Sequence, residues 1–252
     1  IDAASGGFIA PFQEELPAWD FRLKNVLSIS ASGHKFGESC IGTGWIVWRQ
    51  RENLSDHVAI SVSYLGGMGE SYNLNFSRPA SGIYVQYYKF LRYGIAGYQK
   101  ICDHMMTHAH KIREGLGKMK FEGKARFTIL DDGDKNCLPV VTAMLNPECN
   151  FEYDDIDLQH AISEHNWYVS GYRMNFEDPI TKQDKPIFTD QDGSKTMFRI
   201  VVKSNINSVM VDNLIDSFGK TLEMLDSIEF KNKANGALKG MHRKKNLFSK
   251  HC

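Results

Sequence analysis

Lys35 is the residue of this chain best placed to do covalent chemistry. It leaves a strand-like run in Ser28-Ile29-Ser30-Ala31-Ser32-Gly33-His34-Lys35-Phe36-Gly37, where small residues, a histidine and two glycines crowd one turn. A lysine with its ordinary pKa near ~10.4 offers almost no neutral amine at pH 7, so attack on a carbonyl requires a crowded, partly dry setting of this kind. Taken alone, Lys35 would be a surface lysine after a strand, since most lysines are solvated. Asp2 changes that balance. It stands in Ile1-Asp2-Ala3-Ala4-Ser5-Gly6-Gly7, just past an apolar residue and some thirty residues upstream of Lys35, enough chain for a turn or helix and a return to the same sheet. One carboxylate and one amine are then expected to face one pocket. On its own, Asp2 would be read as a turn or helix cap.

The elements that must position this pair are short. Over residues 1–79, β-rich pieces such as Val26-Leu27-Ser28-Ile29-Ser30 and Gly44-Trp45-Ile46-Val47-Trp48-Arg49 alternate with glycine-rich turns and read as neighbouring strands. From Ser81 to about Lys120, Ile83, Tyr87, Phe90, Leu91, Ile101 and Met105 recur at helical spacing, with a bend or close packing expected at Gly94 and Gly97. Two β-like runs follow at 126–130 and 138–145. An Asp154-Asp155 cap then precedes Leu158, Ala161, Ile162 and His165 on one helical face, giving a β-α-β arrangement. Met197-Phe198-Arg199-Ile200-Val201-Val202 reads as a strand. Ser208 opens a helix with Val211, Leu214, Ile215, Phe218, Leu222 and Leu225 on one stripe, and residues 180–195 read as an exposed loop. The expected organisation is a first domain over 1–105, a small α+β domain over 106–230 and a basic tail over 231–252, with no internal repeat.

Composition excludes several classes. The 252 residues are 42% hydrophobic and 24% charged, ordinary for a folded globular chain rather than a disordered, collagen-like or coiled-coil one. Thirty basic and thirty acidic side chains cancel, so no global charge draws the chain to nucleic acid or an anionic membrane. Cys40, Cys102, Cys137, Cys149 and Cys252 are odd in number and far apart, which favours a reducing, cytoplasmic compartment over a disulfide framework. No run is apolar enough for stable membrane insertion, and residues 1–7 lack the pattern of a signal peptide. The opening reads like the end of a strand, so the chain is expected to be the latter part of a longer protein.

A lysine paired with a distant aspartate is what pyridoxal phosphate requires: the lysine forms a Schiff base, and the acid keeps the ring nitrogen protonated so that the ring can accept electrons. The blocks around the pair carry a resemblance. Asp2-Ala3-Ala4-Ser5-Gly6-Gly7-Phe8, Trp19-Asp20-Phe21-Arg22-Leu23, residues 28–37, Gly44-Trp45-Ile46-Val47-Trp48-Arg49, Tyr64-Leu65-Gly66-Gly67 and Asn75-Phe76-Ser77-Arg78-Pro79 closely resemble, in order, the pyridoxal-phosphate-dependent glutamate decarboxylases. The similarity is dense over 2–98 and patchier beyond.

The resemblance implies an α/β chain of the aspartate-aminotransferase-like fold, fold type I, comprising the end of the large-domain sheet and the α+β small domain. It implies decarboxylation of L-glutamate to 4-aminobutyrate and carbon dioxide with uptake of a proton. By the same resemblance Lys35 matches the Schiff-base lysine, Asp2 the partner of the pyridine nitrogen, and His34 the histidine beside the cofactor phosphate and the reacting lysine. Ser32 falls among the cofactor-binding residues, Ser77 matches the serine reaching a neighbouring subunit's cofactor, and Arg199 the arginine facing the substrate carboxylate. Ser77 makes a homodimer the minimum unit, with hexamers among bacterial relatives. His251 matches a penultimate histidine that closes the site as pH rises, in the range where histidine titrates. A calmodulin-binding tail would want a tryptophan anchor, which residues 231–252 lack. Two departures stand out: Glu38-Ser39-Cys40-Ile41 replaces a Leu-Ala-Pro-Leu type of sequence, and Lys203-Ser204 replaces a common arginine pair. Other cofactor contacts belong to a first half not present here, so an inactive fragment or a dimerisation partner is the alternative.

Other readings are weaker. Ser32-Gly33-His34-Lys35 satisfies the S-x-x-K pattern of serine hydrolases, but that pattern wants a serine at a helix start with S-D-N and K-T-G elsewhere, and only Ser55-Asp56-His57 and Lys195-Thr196-Met197 occur. His104, His108 and His110 lie near one helical face, yet without the glutamate of H-E-x-x-H they read as exposed helix residues.

Overall fold

The computed structural model describes residues 1–14, 16–63, 66–72, 77–131, 133, 137–177, 180–186 and 196–235. They form two compact units. The first holds Ile1–His104 with Cys137 and Leu138; the second holds Met105–Gly133 and the residues from Pro139 onward.

In the first unit, β1 (Ser28–Ser32) and β2 (Gly44–Trp48) pair antiparallel, from Ser28 opposite Trp48 to Ser32 opposite Gly44. Residues 1–4 run parallel along the other edge of β1. Ile1 N donates to Ser28 O at 2.8 Å, Ser30 N to Ile1 O at 3.0 Å, Ala3 N to Ser30 O at 2.8 Å and Ser32 N to Ala4 O at 3.2 Å. The Asp2 segment is therefore laid directly beside the strand that leads into Lys35. A small hairpin, β3 (Ile60–Val62) and β4 (Gly69–Ser71), precedes α1 (Ser81–Lys118).

Helix α1 forms where the apolar spacing predicts it, and it breaks at Gly94, whose φ of 56° and ψ of −168° lie where only glycine sits without strain. Its buried face in this chain is not the predicted stripe throughout. Gln86 and Tyr98 are buried, whereas Ile83, Tyr87 and Leu91 are 61%, 61% and 70% exposed. The buried face is chosen by what packs on it: Phe8, Phe12, Phe90 and Tyr93 surround Tyr98 with ring centroids 5.7–6.0 Å away.

The second unit is built on a four-stranded antiparallel sheet in the order β7 (Phe127–Ile129), β8 (Val140–Leu145), β12 (Thr196–Val201), β9 (Ser170–Arg173). A short hairpin, β5 (Lys120–Phe121) and β6 (Lys124–Ala125), leads in, and α2 (Asp155–Ile162) connects β8 to β9. The expected β-α-β order is present, with β12 inserted between its two strands. Alternation along β12 buries Thr196, Phe198 and Ile200 and leaves Arg199 on the outer face. Helix α3 (Ser208–Asn235) buries Val211, Leu214, Phe218 and Leu222, four members of the predicted stripe. The expected loop over 180–195 needs correction. Its described part includes β11 (Asp184–Pro186), which pairs antiparallel with β10 (Asn175–Glu177) and ends on Pro186, where a proline fits a strand terminus.

Asp154 caps α2 as predicted, its Oδ1 accepting from Ile156 N and Asp157 N at 2.9 Å each. Its neighbour Asp155 is a buried carboxyl group. Asp155 Oδ1 accepts from Leu145 N at 2.9 Å and Oδ2 from Thr196 Oγ1 at 2.8 Å, tying the helix start to β8 and β12. Burial outweighs these bonds and pushes the carboxyl pKa from 3.8 up to about 6. The folded state therefore binds this proton more tightly than the unfolded one. The resulting stabilisation, about 3 kcal/mol, is fully present below pH ~4 and is lost as pH rises through about 6. Denaturant unfolding of the parent and Asp155→Asn at pH 4 and pH 7 should show the variant losing most of this pH dependence.

Candidate active site

Lys35 lies in a tight turn that follows β1. Lys35 N donates to Ser32 O at 3.3 Å, Glu38 N to Lys35 O at 3.2 Å and Ser39 N to Gly33 O at 2.9 Å. The glycines make this turn possible: a Cβ on Gly37 would lie 2.7 Å from Gly33 O and 2.9 Å from the Phe8 ring. Lys35 is exposed in this chain and not in the partly dry setting expected of it, and its Nζ donates to Ser5 Oγ at 3.4 Å. Ser5 is three residues beyond Asp2, which is also exposed, pairs in a parallel bridge with Ser30 and accepts from Ala4 N at 3.0 Å through Oδ1. A Cβ on Gly7 would sit 2.6 Å from the Ala31 Cβ, so residues 1–7 approach β1 as closely as backbone allows.

His34 is half-buried, with its Nδ1 2.9 Å from Thr43 O. A carbonyl accepts only, so Nδ1 is the donor in this contact. Ser32 is half-buried at the end of β1, not at a helix start, which removes the context that the S-x-x-K reading required. Ser77 is exposed ahead of α1 and forms no hydrogen bond among the described residues. Arg199, in the second unit, donates from Nη2 to Tyr172 Oη at 2.7 Å, its guanidinium 5.2 Å from the centre of that ring. His251, with the rest of 236–252, lies outside the described residues, as do Asn75 and Phe76. Of the α1 histidines expected to be exposed, only His110 is, facing Glu114 at 3.3 Å, whereas His104 is half-buried and His108 is buried by its packing; no group of three His, Cys, Asp or Glu residues suited to a metal gathers among the described residues.

Two supports of the Lys35 turn escaped sequence reasoning. Gln86 on α1 is wholly buried, donating to Gly37 O at 2.9 Å and Tyr98 Oη at 3.1 Å and accepting from Trp45 Nε1 at 3.4 Å. Lys89, one turn on, donates to Glu38 Oε2 at 2.9 Å and to Tyr93 Oη at 3.3 Å. Burial works against the Lys89 ammonium, but Glu38 and Tyr93 outweigh it and hold its pKa above the ordinary value. Elsewhere Arg49 joins two of the motif blocks, donating from Nη2 to Phe21 O at 2.8 Å and Leu23 O at 2.6 Å and from Nε to Val26 O at 2.8 Å. An apolar cavity of about 320 Å³ on this face of β1 and β2 is lined by Phe8, Trp19, Phe21, Trp45 and Phe90.

The pyridoxal-dependent decarboxylase conserved domain matches residues 1–144, which takes in Asp2, the Lys35 turn and the whole of α1. The chain belongs to that family. Within it, a glutamate decarboxylase of Lactococcus lactis is 36% identical over 228 residues, covering 90% of this chain and 44% of its own length. A glutamate decarboxylase of Petunia hybrida is 32% identical over 228 residues, covering 90% and 41%. This chain thus spans less than half the length of these relatives. The solved glutamate decarboxylase of Lactobacillus brevis superposes with a TM-score of 0.74 at 35% identity over 89% of this chain and 46% of that one. A sphingosine-1-phosphate lyase of Burkholderia pseudomallei shares the fold alone, with a TM-score of 0.65 at 18% identity. The mixed α/β architecture of this family member is therefore that of fold-type I pyridoxal-phosphate enzymes over about half of their chains. No helix among the described residues is long and apolar enough to cross a membrane.

Proposed function

We propose that this chain supplies the lysine side of a pyridoxal-phosphate site that decarboxylates L-glutamate to 4-aminobutyrate and carbon dioxide. Its two units are then the end of the large cofactor domain and the small domain. The observation that carries the reading is the return of the Lys35 amine to Ser5, three residues past Asp2, on a segment hydrogen-bonded along β1.

The residues present fit the group. Lys35 offers an exposed amine, Asp2 an exposed carboxylate for the pyridine nitrogen, and His34 a ring held by its Nδ1 contact to Thr43 O. When bound, pyridoxal phosphate supplies an electron sink for the pair released as the α-carboxylate leaves. Asp2 would hold the pyridine nitrogen, since a carboxylate accepts a charge-assisted hydrogen bond from a protonated ring nitrogen. Lys35 would hold the cofactor through its Nζ. His34 lies beside Lys35 and receives or delivers a proton at Nε2. Arg199 binds a substrate carboxylate through a guanidinium that Tyr172 already holds in one orientation. Ser77 serves a cofactor across a homodimer, and the compartment is cytoplasmic, in keeping with the free thiols Cys40, Cys102, Cys137 and Cys149.

The test is a substrate panel. The 252-residue chain with pyridoxal phosphate is incubated with L-glutamate, L-aspartate and aromatic amino acids, and carbon dioxide and amine products are quantified. Release from L-glutamate at least ten-fold above the others supports the reading; equal release or preference for another acid contradicts it.

A further inference from the structure

Glu38 sits in an unusual place for an acid. It follows Lys35 by one turn, with its N donating to Lys35 O, which puts the two Cα atoms within about 7 Å of each other. Its φ is +61°, a left-handed conformation that a side chain adopts only where its surroundings enforce it. Those surroundings are visible. Ser39 N donates to Gly33 O, Ser39 Oγ to Gly82 O at 2.6 Å, and Lys89 Nζ to Glu38 Oε2 at 2.9 Å, with side chains only 17% and 22% exposed at the ion pair. Lys89 also lies 5.0 Å from the centre of the Tyr93 ring, which fixes its direction.

We propose that the Glu38–Lys89 ion pair is a positioning latch, pinning the Lys35 turn to α1 and neutralising the acid that this chain carries beside Lys35. This rests on the reading of Lys35 as the reactive amine. The position is unlike an ordinary surface pair in two respects: both partners are largely covered, and one of them holds a strained residue of the turn itself. An unpaired carboxylate there would favour the ammonium form of a neighbouring lysine and slow its attack. Gln86 secures the same turn through Gly37 O, so loss of the latch should alter the charge and aim of Lys35 without unfolding the unit.

The readout is the acylation rate of Lys35 by a neutral amine-specific reagent, taken by peptide mass spectrometry relative to the exposed Lys24 of the same chain. It needs no cofactor. The parent, Lys89→Gln, Glu38→Lys, Lys89→Glu and the reversed pair Glu38→Lys with Lys89→Glu are compared, with circular dichroism to confirm folding. Lys89→Gln and Lys89→Glu should lower the Lys35-to-Lys24 ratio by about three-fold or more, and the reversed pair should return it to within two-fold of the parent. An unchanged or higher ratio in folded Lys89→Gln, or a reversed pair no closer to the parent than Lys89→Glu, overturns the latch. If Lys89→Gln does not fold, the reversed pair alone decides, since restored folding with a parent-like ratio supports the latch and anything else refutes it. A parent that forms no Lys35-linked cofactor adduct would instead overturn the cofactor reading, a separate result from the labelling ratios.

Discussion

Asp2→Asn is expected to cut decarboxylation by about 100-fold or more while leaving the Lys35-linked cofactor in place. The substitution is nearly isosteric, and the Asn oxygen can still accept from Ala4 N, so the bond that Asp2 Oδ1 makes at 3.0 Å survives and the backbone beside β1 stays in register. What disappears is the negative charge. An ionised acceptor contributes more to a hydrogen bond than a neutral one, and loss of one preorganised stabilising group typically costs a factor of 10²–10³ in rate. On the proposed assignment the covalent link would depend on Lys35 and not on Asp2. Product assays beside borohydride trapping check both halves of the prediction; a variant that keeps parental activity would remove Asp2 from the site.

Phe198→Ala is expected to destabilise the second unit by about 3–5 kcal/mol. Phe198 is wholly buried on β12, opposite Ala143 of β8 and Gly171 of β9, and small partners on both sides leave its ring as the main filling of that layer. Its ring lies 5.4 Å from Phe127 and 5.6 Å from Phe218, which themselves meet edge to face at 6.1 Å. Truncation leaves a void that three elements cannot close together, and it forfeits two aromatic contacts as well. Arg199, on the opposite face of the strand, is not touched directly. Urea unfolding monitored by circular dichroism gives the size of the effect, and a change under 1 kcal/mol would mean that the cluster repacks.

The sequence made some of this legible for a physical reason. A turn as tight as that of Lys35 needs small residues contiguous in sequence, so Gly33, His34, Lys35 and Gly37 mark it without a fold. Asp154 before α2 and the apolar stripe of α3 are equally local signals, one a cap and one a period. Gln86 and Lys89 are not. Their partners, Gly37 and Glu38, lie about fifty residues away in sequence, and a glutamine or lysine inside a helix carries no local mark of a buried bond. Periodicity also told which residues of α1 are apolar but not what covers them, so Ile83, Tyr87 and Leu91 were readable as helix and not as exposed. β11 was hidden by Pro186 and polar neighbours, because an edge strand lacks the apolar alternation by which strands are recognised.

The role of Lys35 is tested most directly by the visible spectrum of the 252-residue chain with pyridoxal phosphate before and after borohydride, beside Lys35→Ala. Size exclusion of both proteins establishes folding, and peptide mass spectrometry locates the reduced adduct. The parent should show an absorption band that borohydride removes, with the mass of the reduced cofactor on Lys35, and Lys35→Ala should show neither. A folded parent without that band, or an adduct placed on another lysine, would contradict the assignment.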